Sequence, residues 1–244
     1  MKKRLYTLNE NYFENINSQD KAYFLGLIVA DGNISIASGN RQPVLRIGLI
    51  DKEPLETFAK YLETNRPIYT IDNSKYKNKY SQKTSYVIQI TSKKICDDLA
   101  KLGVHPRKTF NENIPNIPDH LFHHFVRGFF DGDGSVFLAK NNTEDKSLNV
   151  TLSSSYNFLN DLINKMNIYE KSAKLLYKDT RTLSNCWDAK FYNKSRSLVF
   201  YSYIYKDLNN DCYFKRKKEI FDNYIEIKVQ RLQSAILEYK RIKV

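Results

Sequence analysis

The sequence contains one short stretch twice, first as Phe24-Leu25-Gly26-Leu27-Ile28-Val29-Ala30-Asp31-Gly32 and again as Val126-Arg127-Gly128-Phe129-Phe130-Asp131-Gly132-Asp133-Gly134. Each copy is typical of a buried apolar helix that ends in Asp-Gly, because glycine takes the left-handed conformation after a helix at least cost. Glycine inside a helix costs about 1 kcal/mol relative to alanine. Gly26 and Ala30 share one helix face, as do Gly128 and Gly132. We therefore predict that the two smooth faces pack against each other.

Such packing would bring Asp31 and Asp133 together at the C-termini of the two helices. The helix dipole and the neighbouring carboxylate both oppose ionisation at that position. A divalent cation removes this conflict, and Mg²⁺ typically binds one or two protein carboxylates together with water and substrate phosphate. The pair is thus a candidate site for Mg²⁺ (or Mn²⁺). The alternative is two unrelated core helices with Asp-Gly turns.

The charge balance of the chain indicates its class of partner. The 244 residues include 39 Lys and Arg against 27 Asp and Glu, a formal net charge of +12, which favours a polyanion. Nucleic acid is a better candidate than a membrane surface, because no apolar run approaches the length of a membrane span and the N-terminus does not resemble a signal peptide. The three separated cysteines favour a reducing compartment over a disulfide framework or a zinc site.

The two halves of the chain repeat one order of elements. After each motif the pattern predicts a hairpin with one apolar face, a helix, two further strands and a helix. In the first hairpin the apolar face comprises Ile34, Ile36, Leu45, Ile47 and Leu49. We predict an α+β fold of two pseudo-symmetric αββαββα halves: residues 1–110, a linker over 111–117, and residues 118–244, which end in an additional helix over 215–241.

The two stretches resemble the paired motifs of single-chain LAGLIDADG homing endonucleases. The resemblance implies that the motif helices form the interface between the halves and that the antiparallel sheets form a saddle along DNA. It also implies that Asp31 and Asp133 bind the catalytic metal ions, with the adjacent Ala30 and Gly132 in the same site. The expected function is Mg²⁺-dependent, double-strand cleavage of a long pseudo-palindromic target in intron homing, by a monomer without an obligate protein partner.

The same family places a polar residue at the end of the second strand of each half and a lysine beyond the last helix. Aligning residues 45–51 with 148–154 assigns Asp51 and Ser154 to the first role, and two matching Arg-Lys pairs assign Lys108 and Lys217 to the second. Asp51 could instead cap a helix, and Lys217 could be a solvated charge. Asp131 replaces Val29 of the first motif, so we expect it to make a structural or polar contact.

The polar faces of the predicted strands are candidates for contact with DNA, because a curved sheet in the major groove presents alternate side chains to base edges. The residues assigned to base contact are Asn33, Ser35, Arg46, Gln89, Ser135, Asn149 and Thr151. The residues assigned to phosphate contact are Lys75, Lys77, Lys79 and Lys83. The alternative is a set of solvated polar faces that bind nothing.

A cluster of His120, His123 and His124 precedes the second motif and has the spacing of metal ligands on a helix. No cysteine or second histidine pair completes a site, so we favour helix packing or phosphate contact over zinc binding or general-base catalysis.

Two other functions remain compatible with the sequence, namely an RNA-splicing maturase that binds intron RNA and a DNA-binding protein that does not cleave. The abundance of Lys, Asn, Ile and Tyr is typical of AT-rich phage, bacterial or organellar genomes. We therefore expect the protein in the cytoplasm and nucleoid or in an organellar matrix, not secreted and not in a membrane.

Overall fold

The computed structural model describes residues 5–36, 42–72, 84–106, 113–139, 147–169, 175–180, 185–192 and 194–242. The first half contains α1 (Gln19–Asp31), β1 (Gly32–Ser35), β2 (Val44–Leu49), α2 (Glu53–Tyr61), β3 (Tyr69–Ile71), β4 (Ser85–Thr91) and α3 (Lys93–Lys101). The second half contains α4 (Asp119–Asp133), β5 (Gly134–Ala139), β6 (Ser147–Ser154), α5 (Tyr156–Met166), β7 (Leu176–Lys178), β8 (Trp187–Tyr192), α6 (Lys194–Ile204) and α7 (Lys215–Ile242). The predicted α+β class and the repeated element order are confirmed. The linker over 111–117 stays a prediction, since it lies partly outside the described residues.

Each half forms one antiparallel four-stranded sheet, and the two sheets have the same strand order, β1-β2-β4-β3 and β5-β6-β8-β7. One face of each sheet packs on the helices, and the opposite face is called the outer face below. Alternate residues of the central strands are buried on the helix side, as the period of two predicts: Leu45, Ile47, Leu49, Leu148, Val150 and Leu152. The prediction for Ile36 is wrong, because β1 ends at Ser35 and the Ile36 side chain is exposed.

The most extensive contact between helices joins α1 to α4. A β-carbon at Gly26 would overlap the carbonyl oxygen of Phe125 and lie 2.8 Å from the Phe129 nitrogen. A β-carbon at Gly128 would overlap the Tyr23 carbonyl and lie 2.9 Å from the Leu27 nitrogen. The backbones themselves therefore touch, and the predicted packing of the two smooth faces is confirmed.

The glycines that end the two motifs have a different role from the predicted one. Gly32 has φ −77° and Gly134 has φ −97°, so both are extended rather than left-handed. Each is the first residue of a strand. The turn from helix to strand leaves no room for a side chain, since a β-carbon at Gly32 would lie 2.6 Å from the Ile28 carbonyl oxygen. Among the glycines of the described residues, only Gly103 after α3 has a positive φ, at 86°.

One helix in each half begins at a serine cap, although α3 and α5 do not occupy equivalent places in the repeat. The Ser92 side chain accepts a hydrogen bond from the Ile95 amide at the start of α3, and Ser155 does the same for Phe158 at the start of α5. The additional helix α7 packs on the second half through the buried Phe221, whose ring lies near the ring of Phe130. Within the described ranges no helix is both long enough and apolar enough to cross a membrane.

Candidate active site and nucleic-acid interface

The first motif helix ends at Asp31 and the second at Asp133, and both side chains are exposed. A β-carbon at Gly132 would lie 3.1 Å from Asp31 Oδ2 and would overlap the Ala30 side chain. The end of α4 therefore contacts the carboxylate that ends α1, and the predicted site residues Asp31, Ala30, Gly132 and Asp133 are brought together. Exposed carboxylate oxygens are suitable ligands for a hard divalent cation.

The carboxylate pair would supply only part of a coordination shell. Among the described residues no group of three or more His, Cys, Asp or Glu side chains is arranged to hold a metal ion. A cation at Asp31 and Asp133 would therefore take further ligands from water or from a bound phosphate. That division of ligands suits Mg²⁺, which retains several waters and commonly binds substrate phosphate.

Lys217, at the start of α7, is buried against the end of α4. Its Nζ donates to the carbonyl oxygens of Phe130 at 2.7 Å, Asp131 at 2.7 Å and Gly134 at 2.5 Å. Burial lowers the pKa of Lys217 to about 8, against the opposing influence of nearby carboxylates, chiefly Asp131. The ammonium has three N–H groups, and each donates to a backbone carbonyl oxygen, so Lys217 caps the C-terminus of α4. The alternative that Lys217 is a solvated charge is therefore wrong.

Asp131 lies within the contact between the two halves and is almost completely buried. Its Oδ2 accepts hydrogen bonds from the Tyr23 hydroxyl of α1 and from the Phe214 amide just before α7, both at 2.9 Å. Burial raises the pKa of Asp131 to about 6. The expected polar contact is confirmed, and it joins α4 to α1 and to the start of α7.

Asp51 lies just beyond β2 and joins the two halves. Its Oδ2 accepts a hydrogen bond at 2.6 Å from Nε of Arg216, at the start of α7. Next to this contact Lys215 forms an ion pair with Glu53. The residue at the cap position of α2 is Lys52, so Asp51 is not the helix cap that the sequence left open.

The strand register changes the correspondence between Asp51 and Ser154. Gly32 pairs with Ile47 and Gly134 pairs with Leu152, so Ile47 and Leu152 are equivalent. Ser154 then corresponds to Leu49, two residues before Asp51, and the alignment that matched Ser154 with Asp51 is wrong. The sequence could not reveal this error, because shifting one strand by two residues leaves the alternation of apolar and polar residues unchanged. Ser154 itself is buried at the end of β6, opposite Trp187.

Two of the three histidines before the second motif, His123 and His124, are part of the helix packing, whereas His120 is exposed. His124 is buried with Nδ1 2.8 Å from Nη1 of Arg127, and burial lowers its pKa to about 3. Arg127 is completely buried and donates to the carbonyl oxygens of Ile204 and Cys212. Sequence reasoning did not single out Arg127, although a charged residue at the position of Leu25 in the first motif was the available signal.

On the outer face of the first sheet, Asn33, Arg46 and Gln89 lie side by side across β1, β2 and β4. Asn33 and Arg46 are exposed and Gln89 is partly exposed. Ser35 is exposed two residues further along β1, on the same face. The residues predicted for base contact in this half are therefore adjacent and accessible.

The outer face of the second sheet differs from the prediction. Ser135 is exposed, but Asn149 and Thr151 are each only 8% exposed. Both lie on the predicted face. Asn149 lies between the larger side chains of Phe137 and Tyr192, whose rings meet, and Thr151 donates a hydrogen bond to the Tyr192 hydroxyl. Five predicted site residues lie outside the described residues, namely Lys75, Lys77, Lys79, Lys83 and Lys108.

The first half of the chain matches a known family model. Residues 18–103 match the family model described as a LAGLIDADG-like domain. No protein with a curated description matches the chain. The structure of the LAGLIDADG meganuclease I-CpaMI bound to uncleaved DNA is similar, with a TM-score of 0.56 and 16% identity over 88% of this chain and 92% of that chain.

Two further solved structures have the same fold. The I-LtrWI LAGLIDADG homing endonuclease bound to target DNA has a TM-score of 0.54 and 11% identity, over 94% of this chain and 97% of that chain. The homing endonuclease I-WcaI bound to its DNA recognition sequence has a TM-score of 0.54 and 16% identity, over 86% of this chain and 90% of that chain. Residues 18–103 therefore match a LAGLIDADG-like domain, and the chain as a whole has the fold of these single-chain structures, with two motif helices and two sheets.

Proposed function

We propose that the protein is a site-specific DNA endonuclease that makes a metal-dependent double-strand cut. The observation that carries this proposal is the meeting of Asp31 and Asp133 at the touching ends of α1 and α4. Strands β1 and β5 begin at the residues that follow these carboxylates. A duplex lying along the two outer faces would therefore have its backbone at the carboxylate pair.

The metal ion of the reaction would be held by Asp31 and Asp133. Mg²⁺ or Mn²⁺ suits two exposed carboxylates, and when bound it would supply Lewis-acid stabilisation of charge on the scissile phosphate. A structure of the similar I-SmaMI, with a TM-score of 0.53, contains an uncleaved DNA target in the presence of calcium ions. The role of Lys217 is then to hold the backbone around Asp133, through the carbonyls of Asp131 and Gly134.

Recognition of the target would divide between base contacts and phosphate contacts. The exposed row Asn33, Arg46 and Gln89 offers side chains of the types that pair with base edges in the major groove. The net charge of +12 favours the phosphate backbone, where the lysines between residues 75 and 83 are predicted to bind. Because one chain carries both motifs, both strands can be cut by a monomer.

The decisive experiment is cleavage of a randomised duplex library, with Mg²⁺ and then with EDTA. We expect cuts at one long motif that require the metal, and we expect Asp31→Asn and Asp133→Asn each to abolish double-strand cleavage. Asp161→Asn removes an exposed carboxylate on α5 and is the matched control, which should cleave normally. Tight binding of a structured intron RNA with no DNA cut by the wild-type protein would replace the nuclease proposal with the maturase function.

A further inference from the structure

The outer faces of the two sheets carry different chemistry at equivalent positions. The register that makes Ile47 equivalent to Leu152 also makes the row Ser35, Val44 and Thr91 equivalent to the row Phe137, Asn149 and Tyr192. The two residues that flank the central one are small and polar in the first sheet, namely Ser35 and Thr91. The equivalent two in the second sheet are aromatic. The difference between the halves is therefore concentrated in Phe137 and Tyr192.

The two aromatic rings form a continuous surface over the polar strand beneath them. Their centroids are 6.4 Å apart in an edge-to-face arrangement, with Asn149 between them in the row. The Tyr192 hydroxyl accepts a hydrogen bond from Thr151 at 3.5 Å. Phe137 is nevertheless 43% exposed and Tyr192 is 38% exposed. The rings thus present apolar area on a face where the neighbouring polar side chains, Asn149 and Thr151, are nearly buried.

A cation accompanies this aromatic surface. Lys190 lies beside Thr151 on the outer face, with its ammonium 5.8 Å from the centre of the Tyr192 ring and 5.2 Å from that of Tyr177. Tyr177 is itself 49% exposed. The Asp188 carboxylate lies 3.8 Å from the same ammonium but is nearly buried, so the surface presents the lysine charge beside apolar area. Such a surface is complementary to a partner that combines apolar groups with anionic ones.

The major groove of DNA supplies that combination, because the 5-methyl group of thymine is its apolar feature and phosphates line its edges. The first sheet has hydrogen-bonding groups instead, since Arg46 suits guanine and Gln89 suits adenine. We propose that Phe137 and Tyr192 read thymine methyl groups in the half of the target that faces the second sheet, while the first sheet reads its half by hydrogen bonds. This inference rests on the proposed binding of duplex DNA.

The position of the aromatic surface indicates which thymines it would contact. A strand rises about 3.3 Å per residue, so Phe137 lies up to about 13 Å along β5 from Asp133. Base pairs repeat about every 3.4 Å, so the contacted thymines should lie within about four base pairs of the cut. The expected target is therefore asymmetric, with thymine preferred at these positions in one half only.

The test starts with the duplex that the wild-type protein selects from a random library. Each thymine near the cut is then replaced singly by deoxyuridine, which removes only the 5-methyl group, and the Kd is measured at fixed ionic strength. In the half that faces the second sheet we expect each contacted thymine to lose about fourfold in affinity on replacement, the value for one buried methyl-sized group. In the other half the replacement should have no effect.

The paired variant Phe137→Ser, Tyr192→Thr gives the second sheet the residue types of the first. Deoxyuridine should then cost nothing in either half. The variant Val199→Ser, which removes an exposed apolar side chain from α6, is the control and should keep the fourfold effect. Both changed side chains are more than half buried and contact each other, so the paired variant should lose some thermal stability. Cooperative unfolding well above the assay temperature would separate lost recognition from lost folding.

The outcomes distinguish this inference from the proposed function. Tight, sequence-specific binding that is insensitive to deoxyuridine in both halves would overturn the reading of thymine methyls and leave the proposal of a DNA endonuclease standing. If deoxyuridine still lowers the affinity of the paired variant fourfold, other residues contact the methyl groups, and the inference is overturned as well. Failure to bind any duplex would overturn both.

Discussion

Gly128 of α4 lies directly against the carbonyl of Tyr23 in α1, with no room for a side chain between the two helices. A β-carbon at Gly128 would overlap the carbonyl oxygen and lie 2.8 Å from the carbonyl carbon. Gly26 has the reciprocal relationship with Phe125. Because rigid backbone rather than flexible side chains forms this contact, it fixes the relative position of the two helix ends and therefore of Asp31 and Asp133.

Replacement of Gly128 by alanine should lower the free energy of unfolding by about 2–3 kcal/mol, because overpacking against backbone forces the helices apart. Urea unfolding of Gly128→Ala measures the loss. Gly48→Ala is the control, since a β-carbon there would lie 3.4 Å from the Val87 side chain and 3.9 Å from the Tyr86 carbonyl oxygen, without overlap, and the change should stay within about 1 kcal/mol. Equal stability losses in the two variants would contradict the importance of the backbone contact.

The sequence predicted the parts of the fold that depend on local pattern. Alternation of apolar residues located β2 and β6, and spaced small residues predicted the contact of α1 with α4. The conformation of Gly32 and Gly134 was not predictable in this way. A glycine after a helix is compatible with a left-handed stop or with a tight exit into a strand, and the choice depends on the position of the strand.

The candidate site was predictable only in part. The repeated Asp-Gly ends identify Asp31 and Asp133, since two copies of one helix imply one shared interface. The bonds of Lys217 join residues more than eighty positions apart, and no local pattern contains them. Covering of Asn149 by Phe137 and Tyr192 depends on the register of three strands, which a period of two leaves undetermined.

Loss of the Lys217 ammonium should destabilise the protein. Lys217→Met removes a donor from three carbonyl oxygens around the end of α4, of which that of Phe130 keeps the Gly134 amide, at a cost of about 3 kcal/mol in the free energy of unfolding. Lys206→Met is the control, because the Lys206 side chain is exposed, and it should change the stability by less than about 0.5 kcal/mol. Chemical denaturation of the two variants side by side makes the comparison, and a Lys217→Met protein as stable as the control would rule out this role.

The ion pair between Asp51 and Arg216 should contribute little to stability despite its short distance of 2.6 Å. The side chains are 32% and 47% exposed, so solvent screens the attraction. A double-mutant cycle with Asp51→Asn and Arg216→Gln should give a coupling energy below about 1 kcal/mol, and less at high salt. A coupling above about 2 kcal/mol would instead assign this contact a major part in holding the halves together. The exposed pair Lys52 and Glu56 provides the reference cycle.

Asp131 should make stability depend on pH in the direction opposite to that of an ordinary ion-paired carboxylate. Burial raises its pKa from 3.8 to about 6, so between these values the folded protein holds a proton that the unfolded chain has lost. The stabilisation is therefore complete below about pH 4 and is lost as the pH rises through about 6, a change of about 3 kcal/mol.

Asp131→Asn isolates this effect, because the amide does not titrate while its oxygen can still accept from the Tyr23 hydroxyl or the Phe214 amide. All other carboxylates are common to both proteins and cancel in the difference between them. Urea unfolding at successive pH values from 4 to 7 should show the wild-type protein losing about 3 kcal/mol relative to the variant. Asp161→Asn controls for the removal of one negative charge. Parallel stability curves for the wild-type protein and Asp131→Asn would mean that Asp131 is ionised throughout this range, with its charge balanced by the nearby Lys217 and Arg127.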